Sequence, residues 1–332
     1  MKQRGFSLIE LMISALIGLV LLLGVINILS ASRQVYRSNN GLAQIQESSR
    51  IAFELLARDI RQAQLIPCGD SGRVANVLNN ANTTPLRQWL GFRGFAADTA
   101  NIVGVPTGTA ATNRVAGFGA LLVQGTENMG YTLVGHDTSN AIMTIASNTT
   151  NLATNDILMV CDITQASIFQ ATDVSVNGSG QTLVTHDNNF GTTGNCSRGL
   201  GVPIICGTVQ GNTFSYNTNA TVSRFYSSIW YLGNNGQQAE GGRSLYRARL
   251  EKNNIVYEEI VSGVSDLVFQ YHTNAANQWQ DASLISNWEE VDAVRITLAV
   301  QTTDTDLSTT TSGNGRLERR VSHIIALRNR TP

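Results

Sequence analysis

The sequence predicts an α+β protein: one long N-terminal helix, then many short strands. Three observations predict it. An apolar run from Phe6 to Ser30 holds a single charged side chain, Glu10. Helical spacing of apolar residues continues beyond that run, and no proline interrupts it before Pro67. After Pro67 the apolar residues fall in short runs between Gly, Asn and Thr clusters, the pattern of strands joined by long loops. The 332 residues suffice for one large domain or two modest ones, and a 42% hydrophobic fraction is enough for a core.

The helix is expected over residues 6–66. Built as a helix, Phe6–Ser30 would rise about 38 Å, enough to cross a hydrocarbon layer of about 30 Å. Lys2 and Arg4 precede the run, so the positive-inside rule keeps the N-terminus cytoplasmic and exports the chain beyond Ser32. Further on, Val35, Leu42, Ile45, Ala52, Leu56 and Ala63 recur at helical spacings and form one apolar stripe. The other faces carry Arg33, Arg37, Glu47, Arg50, Glu54, Arg58 and Arg61, with Glu54 and Arg58 spaced for an ion pair. Pro67-Cys68-Gly69 stops the helix. A coiled coil is the rival reading, weakened by Ala and Ser at seam positions and a pattern of only about four heptads.

Residues 67–223 read as a β-rich region with strands near Ala120–Gln124, Ala141–Ala146 and Asp156–Cys161. Within it TLVGHD (132–137) is echoed by TLVTHD (182–187). A repeated His–Asp pair is a conceivable metal site, but such pairs more often end strands, so no metal is expected. Residues 224–332 alternate more cleanly, with strands expected at Phe225–Leu232, Ser244–Leu250, Ile255–Val261, Leu267–Tyr271, Val291–Gln301 and Val321–Arg328. Asp304 and Asp306 resemble the start of a calcium loop, but the positions after them do not fit.

Charge excludes one large class of function. The net charge is -1 and only 14% of residues are charged, so no basic excess exists to neutralise phosphates, and no nucleic-acid partner is expected. The four cysteines have no C-x-x-C spacing. Cys196 and Cys206 bracket a short Gly-containing loop that two thiols can close, which leaves Cys68 for Cys161. Buried free thiols are the alternative, though an export segment favours disulfides. The motifs G-x-S-x-G, G-K-[ST] and H-E-x-x-H do not occur. No cofactor and no catalytic residue are therefore expected. His136, His186, His272 and His323 are scattered along the chain.

The acid in the apolar run separates three readings of the N-terminus. A cleaved secretory signal with Ser30-Ala31-Ser32 at its end is too long and carries an acid. A plain anchor gives Glu10 no purpose beyond an interfacial position. The third reading uses every feature, since KQRGFSLIELM (2–12) resembles the type III signal of type IV prepilins. That resemblance implies cleavage between Gly5 and Phe6 by a prepilin peptidase, which removes residues 1–5 and N-methylates Phe6. It also implies that residues 6–30 stay as a transmembrane and assembly helix, and that Glu10 is an assembly contact. ARDIRQAQ (57–64), SLYR (244–247), GVSDLVFQY (263–271), WEEVDAVRITL (288–298) and HIIALRNR (323–330) look like the PilW family of large minor pilins.

The resemblance implies a pilin-like fold, with the helix split between a membrane half and a half packed on an antiparallel sheet, and residues 67–223 as a large β-rich insertion. It further implies a minor pilin in the inner membrane of a Gram-negative bacterium, with a periplasmic C-terminal domain, that helps initiate or cap a type IV pilus. Expected partners are the prepilin peptidase, other minor pilins, the major pilin and a tip adhesin. A pseudopilin of type II secretion and a pilus-carried adhesin are the alternatives.

Overall fold

The computed structural model describes residues 7–69, 72–127, 130–147, 151–188, 194–273, 277–307 and 315–328. Among them the chain forms an α+β arrangement of one long helix and two open sheets. Helix α1 runs from Leu8 to Arg61 without a break, a rise of about 81 Å. It ends five residues before the expected position, because Gln62 caps it and Gln64 takes a left-handed φ of 58°. The helix thus ends well before Pro67, and the first strand follows at Val74.

Among the described residues sixteen strands come after the helix. The middle of the chain gives β1 (Val74–Asn76), β2 (Phe92–Phe95), β3 (Ala120–Thr126), β4 (Tyr131–Asp137), β5 (Ile142–Ile145), β6 (Ile157–Cys161), β7 (Ala166–Gln170), β8 (Asp173–Val176) and β9 (Thr182–Thr185). The remainder gives β10 (Thr221–Asn234), β11 (Arg243–Glu251), β12 (Asn254–Ser262), β13 (Val264–Thr273), β14 (Trp279–Gln280), β15 (Val291–Gln301) and β16 (Glu318–Ala326). The pairings of these strands are antiparallel except that of β1 with β7.

One sheet of four strands has the order β14-β13-β15-β16. The other, of twelve strands, is organised by β10. The start of β10 pairs with β6 and β4, and the rest of it lies between β3 and β11. The division expected between residues 223 and 224 thus falls inside β10, and the two regions share one hydrogen-bonded sheet. A strand of 14 residues is long enough to serve both.

The C-terminal half of α1 is the part that packs. Gly41, Ile45, Ser49, Ala52, Phe53, Leu56, Asp59 and Ile60 are buried. Val35 and Leu42 of the expected stripe are exposed, and the first buried residue of the helix is Gly41. There a Cβ would stand 2.7 Å from Thr302 Cγ2, so glycine permits the approach. Ile45, Ala52, Phe53, Leu56 and Ile60 share a core with Trp230, Leu245, Val264, Val294, Ile296 and Leu298. Each large side chain so buried stabilises the fold by about 1.5–3 kcal/mol. The helix surface pair is Glu47–Arg50 at 2.8 Å rather than Glu54–Arg58.

Candidate functional site

Helix α1 divides into two stretches of opposite character. From Leu8 to Leu29 its apolar side chains are exposed, and the rest of the chain covers none of the apolar window. The helix is long and apolar enough to cross a membrane. Gly18 and Gly24 lie open, with nothing within 4 Å of where a Cβ would be.

At the start of this stretch the Glu10 carboxylate accepts the Ser7 N–H at 3.1 Å. Ser7 occupies the N-cap and Glu10 the third helical position, the spacing of a capping box. In the isolated chain Glu10 therefore satisfies an orphan donor of the first turn. A carboxylate there also complements the positive end of the helix dipole. Gly5 and Phe6 lie outside the described residues.

At the other end, Asp59 is buried, with 4% of the residue exposed. Its Oδ2 accepts from Trp230 Nε1 at 2.9 Å and from the Tyr226 hydroxyl, and it faces an Arg247 guanidinium nitrogen at 3.4 Å. Arg247 in turn meets Glu258 at 2.6 Å and lies over the Trp230 ring at 5.4 Å. Burial, and then the Asp59 charge, push the Tyr226 phenol upward, so it stays a donor. ARDIR and SLYR, separate in sequence, thus meet in space. This cluster locks the top of the helix to β10 and β11.

Just beyond it, Cys68 is bonded to Cys161 at the end of β6, with an S–S distance of 2.04 Å. Cys196 is bonded to Cys206. Arg37 meets Asp304 at 3.1 Å, and this pair braces the middle of α1.

The two echoed histidines also meet. His136 Nε2 lies 3.0 Å from His186 Nε2, and His136 Nδ1 accepts the Tyr216 N–H at 3.1 Å. That bond puts the neutral proton of His136 on Nε2, where it donates to His186. Among the described residues the Nδ1–H of His186 then has no partner and is buried. Burial pulls His136 down to about 4 and His186 to about 3. Of the four ring nitrogens two face each other and one is committed to the backbone. Among the described residues no three or more His, Cys, Asp or Glu side chains converge to hold a metal. His272 Nδ1 lies 2.7 Å from Asp292, and the His323 ring lies 4.2 Å from that of Phe53.

Sequence reasoning missed Asp59, Arg247 and the meeting of the two histidines. The signal for Asp59 was present, since an acid three residues from Leu56 and four from Ala63 stands on the apolar face.

No curated protein and no solved structure matches this chain. Two family models do. Residues 1–26 match the prokaryotic N-terminal methylation motif. Residues 229–329, from the middle of β10 past the end of β16, match Type IV Pilus-assembly protein W. The chain carries a prepilin-type motif at its N-terminus and a pilus-assembly W region at its C-terminus, which together support a role in type IV pilus assembly.

Proposed function

We propose that this chain is a minor pilin, processed by a prepilin peptidase between Gly5 and Phe6, with Phe6 N-methylated. Processing leaves α1 in the inner membrane of a Gram-negative cell, with the sheets in the periplasm. The subunit then joins other minor pilins and the major pilin to start or cap the filament, and its bulky head offers a seat for a tip adhesin. Residues 67–223 are on this reading an insertion that enlarges that head. The chain acts as a structural subunit and brings no catalysis or cofactor of its own.

One observation carries the reading: the methylation motif sits at the head of a helix that is bare along its first half and locked to the body along its second. A bare apolar half needs either lipid or neighbouring helices. Glu10 suits both stages. A carboxylate in the membrane interior costs about 2.5–3.5 kcal/mol on the lenient insertion scale, less near an interface. Cleavage creates a positive amine at Phe6, and pairing of Glu10 with that amine on a neighbouring subunit offsets the cost only when the subunits are in register.

Replacing Glu10 with Val tests this assignment. Membrane insertion should persist while incorporation into pili falls, and unchanged incorporation would refute the register contact. A bulky residue at Gly5 should leave an uncleaved precursor, and normal processing would sink the peptidase assignment.

A further inference from the structure

The four-stranded sheet ends at β16, and among the described residues only β15 pairs with that strand. The Leu327 N–H donates to Asp292 O at 2.8 Å, and the register runs unbroken from Ala293↔Ala326 to Gln301↔Glu318. Together these set the alternation. Backbone groups of Val321, His323 and Ile325 point to β15, whereas those of Arg320, Ser322 and Ile324 point outward. The edge is nine residues long, with no proline and no bulge. Such an edge is an open template for another strand.

Beside this edge α1 overhangs a groove of about 320 Å³, lined by Ser49, Arg50, Phe53, Arg319, Val321 and His323. Its floor is apolar, formed by Val321 and the touching rings of Phe53 and His323. Two groups in it are unspent. Ser49 is only 7% exposed, yet among the described residues its hydroxyl has no hydrogen-bond partner. Arg320 is taken by Asp266 at 2.6 Å, whereas Arg319 has no acidic partner among the described residues.

We infer that the outer edge of β16 and the groove under α1 form a docking site for an extended strand of another polypeptide, one that carries both apolar and acidic side chains on the face it turns to the groove. Backbone pairing to Arg320, Ser322 and Ile324 would hold the strand in register. Side chains on its helix-facing side would then enter the groove. Apolar ones rest on Phe53 and Val321, and an acidic one takes the Ser49 hydroxyl and the Arg319 charge. A second copy of this chain fits less well. The groove-facing positions of its own β16 are Arg319, Val321, His323 and Ile325, none of them acidic. The inference rests on the edge and groove alone and does not require the pilus reading.

The test uses the full chain in detergent micelles with two blocked nine-residue peptides: one has Val, Glu, Val, Glu and Val at its odd positions with Thr between, and the other has Lys in place of Glu. Hydrogen exchange is followed residue by residue. The Val/Glu peptide should bind more tightly and slow exchange at Arg320, Ser322 and Ile324. Arg319→Glu should weaken that peptide by about 3- to 5-fold at low salt and favour the Val/Lys peptide instead. Ser322→Pro removes an outward backbone donor, together with the hydroxyl that accepts from Thr297, and should abolish binding of both. If that variant misfolds, the charge reversal still decides. No protection at the three outward amides, or binding indifferent to Arg319→Glu, overturns the inference. So does cross-linking of β16 to β16 between two copies.

Discussion

Replacing Asp59 with Ala should detach the top of the helix from the sheets. The substitution leaves the Trp230 N–H and the Tyr226 hydroxyl buried without their acceptor, at about 1–3 kcal/mol each. Arg247 loses one of two carboxylates but keeps Glu258 at 2.6 Å, so its charge is not orphaned. The expected loss is about 3–5 kcal/mol, the range for breaking a buried charge pair. Against a total stability of about 5–15 kcal/mol this is severe, and for a chain of 332 residues it corresponds to a melting point lower by roughly 4–7 °C. The assay is thermal and urea unfolding of the full chain in detergent, read by near-ultraviolet circular dichroism of the aromatic residues, of which Trp230 is one. Hydrogen exchange over residues 52–61 should speed up in the same variant. A double-mutant cycle with Arg247→Met should return a coupling above about 1 kcal/mol. A loss under about 1 kcal/mol for Asp59→Ala, or additive singles, would refute the lock.

Opening the two disulfides should have unequal effects. A cross-link spanning 93 residues is worth about 4.7 kcal/mol by chain entropy, and one spanning 10 about 2.7 kcal/mol. Urea midpoints of Cys68→Ser/Cys161→Ser and Cys196→Ser/Cys206→Ser variants would rank them, and the reverse order would contradict the entropic argument. Acid should also loosen the histidine pair. Both histidines sit below the ordinary value near 6.5, at about 4 and about 3, so the folded state binds fewer protons than the unfolded one. Their contribution is whole above pH 6.5 and is lost as pH falls toward 4, at about 1–3 kcal/mol per pH unit. Asp137 and Asp187 temper the loss, while Arg198 adds to it at His186. His186→Phe with His136→Gln should flatten the slope of stability between pH 4 and 6.5, and an unchanged slope would refute the assignment.

The elements most legible in the sequence are those whose logic is local. Alternating apolar residues marked Val291–Gln301, and the observed β15 has those bounds. The methylation motif and the apolar run were likewise readable, because a basic leader, a glycine and an acid sit within ten residues. The parts that could not be read depend on partners far along the chain. The segment around Leu90 is held by Gln124, whose Oε1 accepts the Leu90 and Gly91 N–H groups at 2.7 and 2.9 Å. Its Nε2 donates to Pro85 O, Gln88 O and the Ser227 hydroxyl. Arg114 similarly ties Thr99, Thr107 and Phe118 together. A buried polar side chain satisfying distant backbone leaves no periodic trace. Asp59 and the histidines share that property, which is why ARDIR and SLYR read as two unconnected motifs until the fold joins them.

The Cys68–Cys161 bond also sets a path for force. If α1 is drawn along its axis from its N-terminal end, the pull meets the Arg37–Asp304 pair and the packed face from Gly41 onward, and last the Asp59 contacts, all loaded in shear. Should they yield, the short stretch from Gln62 to Cys68 straightens and the tension passes through a covalent bond into β6. The 93-residue segment closed by the bridge then bears none of it. Beyond that point the load falls on β6 within the large sheet, beside β10 and β7. The head can be tugged from its anchor without the chain between the two cysteines being unravelled.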